Sequence, residues 1–93
     1  MVITIRLLQS GGNYTQVFFG SGKPLINRSL NSLEERLPPQ HFFRANPSQI
    51  VNLKRIAATG EWFSGSLKVR LQDRPEIEVS RRQTSLFREG FSL

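Results

Sequence analysis

Ser66-Leu67-Lys68-Val69-Arg70-Leu71-Gln72-Asp73-Arg74-Pro75-Glu76-Ile77-Glu78-Val79 is the stretch that decides the fold class. Leu67, Val69 and Leu71 alternate with Lys68, Arg70 and Gln72, the period-two signature of a strand that buries one face. Asp73-Arg74-Pro75 is turn chemistry, and Glu76-Ile77-Glu78-Val79 resumes the alternation with carboxylates on the polar face. Antiparallel pairing sets Glu76 and Glu78 against Lys68 and Arg70, so these four charges offset one another. The chain's excess positive charge must therefore sit elsewhere.

Working outward, a preceding strand is expected from Arg55 to Phe63, interrupted near Gly60 and separated from the next by Ser64-Gly65. After Val79, Ser80-x-x-Gln83 has the form of a capping box and opens a last helix that would pack Leu86, Phe87 and Phe91, with Gly90 loosening its end. Further upstream, His41-Phe42-Phe43-Arg44 reads as a strand that runs into the turn residues Ala45-Asn46-Pro47-Ser48. Gln49-Ile50-Val51-Asn52-Leu53 is too short to assign by period. Leu30, Leu33 and Leu37 recur at helical spacing with Glu34, Glu35 and Arg36 on the other face; Ser29 can cap this helix, Asn31 with Glu34 offers a second capping box, and Pro38-Pro39 stops it. The first quarter reads as a meander. Val2 to Leu8 forms a strand, Ser10-Gly11-Gly12-Asn13 a turn, Tyr14 to Phe19 a second strand, Gly20 to Lys23 a tight turn and Pro24 to Asn27 a short third strand.

The chain has 93 residues, 38% of them hydrophobic and none of them cysteine, which fits one domain over residues 1–93 resting on packing alone. Thiolate metal sites, cysteine nucleophiles and disulfides are excluded. No apolar run exceeds three residues, as in Val17-Phe18-Phe19, so neither a membrane-spanning helix nor a signal-peptide core is expected and a cytoplasmic location follows. Thirteen Lys and Arg against seven Asp and Glu give a net charge of +6, which points to a polyanionic partner.

The residues for catalysis are few. His41 is the single histidine and stands at a strand entrance, and Glu76 and Glu78 have basic strand neighbours that favour a salt-bridged surface over paired-carboxylate chemistry. No metal-ligand spacing occurs, and Gly20-Ser21-Gly22-Lys23 lacks the phosphate-loop spacing and runs into Pro24. The expectation is a protein without enzymatic activity, metal or cofactor. Three surfaces remain. Arg81 and Arg82 stand in the first turn of a helix, where the backbone already carries partial positive charge and disfavours cations. Either a bound phosphate offsets this or both arginines are simply solvated or paired with a carboxylate. Ala45-Asn46-Pro47-Ser48-Gln49, flanked by Arg44 and further on by Lys54-Arg55, offers amides that suit adenine edges and cations that suit phosphates, although an ordinary turn uses the same residues. Asn13-Tyr14 at the first hairpin is the third.

Gly12-Asn13-Tyr14, the run from Ser29-Leu30 through Phe43-Arg44-Ala45-Asn46-Pro47-Ser48-Gln49-Ile50-Val51-Asn52-Leu53-Lys54-Arg55-Ile56, and Val79-Ser80-Arg81-Arg82 together resemble the LytTR family of bacterial DNA-binding domains, over about residues 3 to 89. The resemblance implies a mainly β, elongated antiparallel fold with short helices. It also implies sequence-specific binding of double-stranded DNA by loops that enter the major groove, and a role in transcription regulation, either alone or as the output domain of a response regulator with an upstream receiver domain. Carried onto this chain, the contact residues would be Asn13, Tyr14, Asn46, Ser48, Lys54, Arg81 and Arg82, with Tyr14, Asn46 and Arg82 converging on one rim. Self-association on adjacent half-sites is left open, as is docking of an acidic protein partner. The chain departs from the family pattern at Asn46 and Pro47, where His and Arg are frequent, and at Gln49, which replaces a frequent aromatic. Pro47 has neither charge nor N–H to offer a phosphate or guanine. Asn52 reads as a local cap and not as a DNA ligand.

Overall fold

A computed structural model describes residues 5–19, 22, 24–61, 65–72 and 76–91, without the side chains of the last two. Strands dominate. In chain order they are β1 (Leu7–Gly11), β2 (Tyr14–Phe18), β3 (Leu25–Ile26), β4 (Phe42–Asn46), β5 (Gln49–Asn52), β6 (Ile56–Glu61), β7 (Leu67–Leu71) and β8 (Glu76–Val79). Helix α1 (Leu30–Glu34) lies between β3 and β4, a single 3-10 turn (Leu53–Arg55) follows β5, and α2 (Arg81–Phe91) follows β8. Two antiparallel sheets result, one of order β3-β2-β1-β5-β4 and one of order β6-β7-β8. The molecule measures 33 × 23 × 23 Å, an elongated shape.

The five-stranded sheet is covered on both faces, and successive residues therefore point into different cores. Leu7 and Val51 face the three-stranded sheet and join Leu67, Val69, Leu71, Ile77, Val79 and the α2 residue Phe87. Their neighbours Leu8 and Ile50 face the opposite way and pack with Val17, Phe42 and the α1 residue Leu30. Phe43 and Phe87 meet edge to face with ring centroids 5.1 Å apart, which seats α2 on β4. Thr84 adds a polar tie: its buried hydroxyl accepts from the Leu67 amide at 3.1 Å while donating to a carbonyl of the β8–α2 junction.

Most expected elements are present, with altered limits. The first turn needs only two residues, because Gly12 takes a φ of +72° and Gly11 still pairs with Tyr14, so β1 runs into the expected turn. Residues 2–4 of the expected first strand lie outside the described residues. Helix α1 ends at Glu34 and tightens to i→i+3 bonds, Arg36 N to Leu33 O and Leu37 N to Glu34 O, before Pro38. Ser29 caps it through a 3.1 Å bond from the Ser32 amide, whereas Asn31 and Glu34 form no second box and turn instead to Arg44. Strand β4 continues through Ala45 and Asn46 with a bulge, leaving Pro47-Ser48 as the turn, and the unassigned run after it forms strand β5. β6 passes through Gly60 unbroken and is irregular between Ile56 and Ala58 instead. Its expected end, residues 62–63, is outside the described residues.

Lys68 pairs in register with Glu78 and Arg70 with Glu76, as the alternation requires, and Lys68 Nζ also reaches the diagonal carboxylate, Glu76 Oε2, at 3.6 Å. Ser80 accepts from the Gln83 amide at 3.4 Å, yet the capping box stays half made. The Ser80 amide already donates to Ala45 O, and the Gln83 side chain donates to Arg44 O. Leu86 is 52% exposed and does not join the core. Its place on α2 turns away from the sheets.

Candidate nucleic-acid interface

The strand registers bring separate turns to one end of the five-stranded sheet. β1 runs toward that end from Leu7 to Gly11, β2 leaves it from Tyr14, and β5 leaves it from Gln49, which is level with Gln9. The Gly12-Asn13 and Pro47-Ser48 turns are consequently neighbours, joined by the Ser10 amide donating to Ser48 O at 2.8 Å. The start of α2 is joined to the same place by the Ser80 amide donating to Ala45 O at 2.9 Å. Asn46 Nδ2 donates to Glu78 O at 2.7 Å and Gln83 Nε2 to Arg44 O at 2.8 Å. Asn13, Tyr14, Asn46, Ser48, Arg81 and Arg82 thus lie along one rim. Lys54 does not: it sits in the 3-10 turn at the other end of β5.

On either side of the Pro47-Ser48 turn, the side chains of Arg44, Asn46 and Gln49 are occupied by the fold. Asn46 Oδ1 accepts from the Ser48 amide at 2.9 Å, an Asx turn, while Nδ2 donates both to Glu78 O and to Gln49 Oε1 at 3.0 Å. Gln49 Nε2 passes the chain on to Gln9 Oε1 at 3.0 Å. A bidentate adenine contact needs a free amide N–H, and both of Asn46's are used, so its amide shapes the turn and is not held out to a base. Arg44 is committed as well. Its guanidinium donates to Asn46 O, to Pro47 O, to Asn31 Oδ1 at 2.9 Å and to Glu34 Oε1 at 2.6 Å. The sequence suggests a cation for phosphate; the structure shows a clamp between the turn and α1 whose charge Glu34 balances.

Around this framework stand groups with nothing to hold. Asn13, Tyr14, Ser48, Arg81 and Arg82 are exposed, and their side chains make no hydrogen bond or ion pair among the described residues. Tyr14 is 50% exposed, an aromatic ring in water at a turn tip. Arg81 and Arg82 open α2 without a carboxylate in its first turn. Of the two plain alternatives to a bound phosphate, pairing with a carboxylate is not seen among the described residues, which leaves the guanidinium groups in solvent. Gln9 and Gln83 are the residues that sequence reasoning missed. Gln83 carries a signal, its capping-box position, but its side chain takes a different partner, and Gln9 carries none because its role depends on a residue 40 positions away. Asn52 is a buried cap: Oδ1 accepts from the Lys54 amide at 2.9 Å and Nδ2 donates to Ile5 O at 2.7 Å.

An exposed row of turn tips and unpaired guanidinium groups on a two-sheet scaffold has the chemistry that suits an extended polyanion. The chain belongs to the LytTr DNA-binding domain family, whose profile matches residues 2–92. It is 42% identical over 66 residues to the transcriptional regulatory protein YpdB of Escherichia coli O6:H1, a match covering 70% of this chain and 27% of that one. To the sensory transduction protein LytT of Enterococcus faecalis it is 34% identical over 65 residues, covering 70% of this chain and 27% of the relative. The chain spans about a quarter of the length of these curated relatives. The fold matches a solved LytTr DNA-binding domain from Bacillus cereus with a TM-score of 0.91 at 23% identity, over 99% of this chain and 84% of the other. Among the described residues no helix is long and apolar enough to cross a membrane.

Proposed function

We propose that this domain recognises a specific double-stranded DNA sequence and regulates bacterial transcription, as the DNA-reading part of a response regulator whose receiver domain lies upstream. The observation that carries this reading is the single rim on which Asn13, Tyr14, Ser48, Arg81 and Arg82 stand free while Arg44, Asn46 and Gln49 are tied into the scaffold. Supporting it are the family and the names of the relatives, a transcriptional regulatory protein and a sensory transduction protein. Phosphate contacts from Arg81 and backbone amides fix register, and Arg82, Tyr14, Asn13 and Ser48 reach base edges in the major groove. Asn46 contributes by holding Ser48 in place. The reading includes no catalytic step, metal or cofactor, and it puts the protein in the cytoplasm with the DNA. Two copies on half-sites one helical turn apart, about 34–36 Å between centres, would lie on the same face of the duplex.

Selection from a pool of random duplexes tests this directly. Enrichment of one motif is expected, with affinity for it falling linearly on a log–log plot against salt and remaining above that for scrambled DNA. A pool that stays random after repeated rounds, with salt-sensitive binding to every duplex alike, would reduce the domain to a general polyanion binder.

A further inference from the structure

We infer that Arg28 is an additional contact of this interface and grips a DNA phosphate at the end of the rim farthest from Arg81 and Arg82; the inference rests on the DNA-binding reading. Strand register places the residue. β3 pairs with β2 through Thr15↔Ile26 and Gln16↔Leu25, so the chain leaving β3 heads toward the hairpin end of the sheet, and a tight turn across Asn27 then sets Arg28 beside Thr15, next in sequence to Tyr14. Its backbone is held there on both sides. The Arg28 carbonyl accepts from the hydroxyl of Thr15, a residue that is 0% exposed, at 2.9 Å, and the Arg28 amide donates to Ile26 O at 2.8 Å. The side chain is exposed and makes no hydrogen bond or ion pair among the described residues. Arg28 is thus a fixed attachment point carrying a guanidinium with all its donors available.

Its place in the row indicates what it would meet. From β3 to β4 there are four interstrand steps, about 19 Å at roughly 4.8 Å each, and the start of α2 lies against β4. The major groove is about 12 Å wide, narrower than this row. With the Gly12-Asn13 and Pro47-Ser48 turns in the groove, the outer β3 end falls over the sugar–phosphate backbone, where an arginine makes bidentate, sequence-independent contacts.

The experiment measures binding of the full chain to its selected duplex and to a scrambled one between about 50 and 200 mM salt, for the wild type, Arg28→Ala and Arg28→Lys, with thermal midpoints as the folding control. Arg28→Ala keeps the carbonyl that Thr15 holds, so the midpoint stays put. Affinity for both duplexes falls by the same factor, about eightfold at about 0.1 M salt, and the log–log slope becomes shallower by about one. Arg28→Lys keeps the wild-type slope. An unchanged slope in Arg28→Ala, or a weakening confined to the selected duplex, overturns the phosphate assignment while leaving the domain a DNA reader. A wild type that prefers neither duplex overturns the DNA reading itself, and this inference with it.

Discussion

The Pro47-Ser48 turn and the start of α2 are both anchored at the end of β4 and are built on opposite terms. Beside the turn, Asn46 makes bonds to Ser48, Gln49 and Glu78, and Arg44 reaches two turn carbonyls and α1, so the polar atoms of these two side chains are spent internally. At the start of α2, Ser80 is tied down by Ala45 and Gln83 by Arg44, while the two residues between them, Arg81 and Arg82, are bonded through their side chains to nothing among the described residues. The turn supplies rigidity and α2 supplies the charge it positions. A polar residue near a binding surface is therefore not a ligand contact by type. Its remaining hydrogen-bonding capacity, counted atom by atom, separates groups that build a surface from groups that use it.

The largest expected effect comes from removing the turn's own bonds. Asn46→Ala leaves the Ser48 amide, Gln49 Oε1 and Glu78 O without their partner, and the domain should lose roughly 2–3 kcal/mol of stability, since water reaches part of this site and recovers some of the cost. DNA affinity should fall with it, because Ser48 and the start of α2 lose their common anchor. Urea denaturation alongside binding checks both. Stability unchanged within about 0.5 kcal/mol, with affinity still reduced, would mean that Asn46 touches DNA directly and that the turn, like α2, turns its polar atoms outward.

Arg82→Ala probes the other side of the comparison and should separate affinity from stability. Removing a bidentate pairing with a base weakens binding by about 1–3 kcal/mol and relaxes preference at one position of the site. Folding stability should hold or rise by about a few tenths of a kcal/mol, because a cation is removed from a helix start that repels it. Paired denaturation and anisotropy measurements decide the matter. A fall in stability comparable to the fall in affinity would show that the arginine belongs to the scaffold after all.

The same contrast explains what can be read from the letters. Leu67, Val69 and Leu71 alternate with Lys68 and Arg70 because the three-stranded sheet buries one face, and both strands and register follow from that pattern. Ile50 and Val51 are adjacent and both buried because their sheet is covered on both sides, which erases the period and makes β5 illegible as a strand. At the rim, residue type and position suffice to expect Arg81 and Arg82 exposed at a helix start, which is where they stand. For Asn46 and Arg44 they do not. Their partners Glu78 and Glu34 are 32 and 10 residues away, and whether an amide or a guanidinium is free depends on those partners. Lys54 groups with the turn by proximity in the sequence, which the strand between them cancels.

Lys54→Ala carries the smallest expected effect and marks where the interface ends. From Gln49 to Asn52 the chain rises about 10 Å along β5, and Lys54 lies beyond, its backbone held by Asn52 Oδ1. That separation already matches the Debye length of about 10 Å at about 0.1 M salt, so an exposed charge there contributes little to phosphates held at the rim. Affinity should change by less than about twofold, with the salt slope unaltered. A slope reduced by about one, equal to that expected for Arg28→Ala, would require DNA to bend around the sheet and reach its far end. The footprint would then extend along β5 beyond the turns, and free cations at both ends of that strand would have to be counted as contacts.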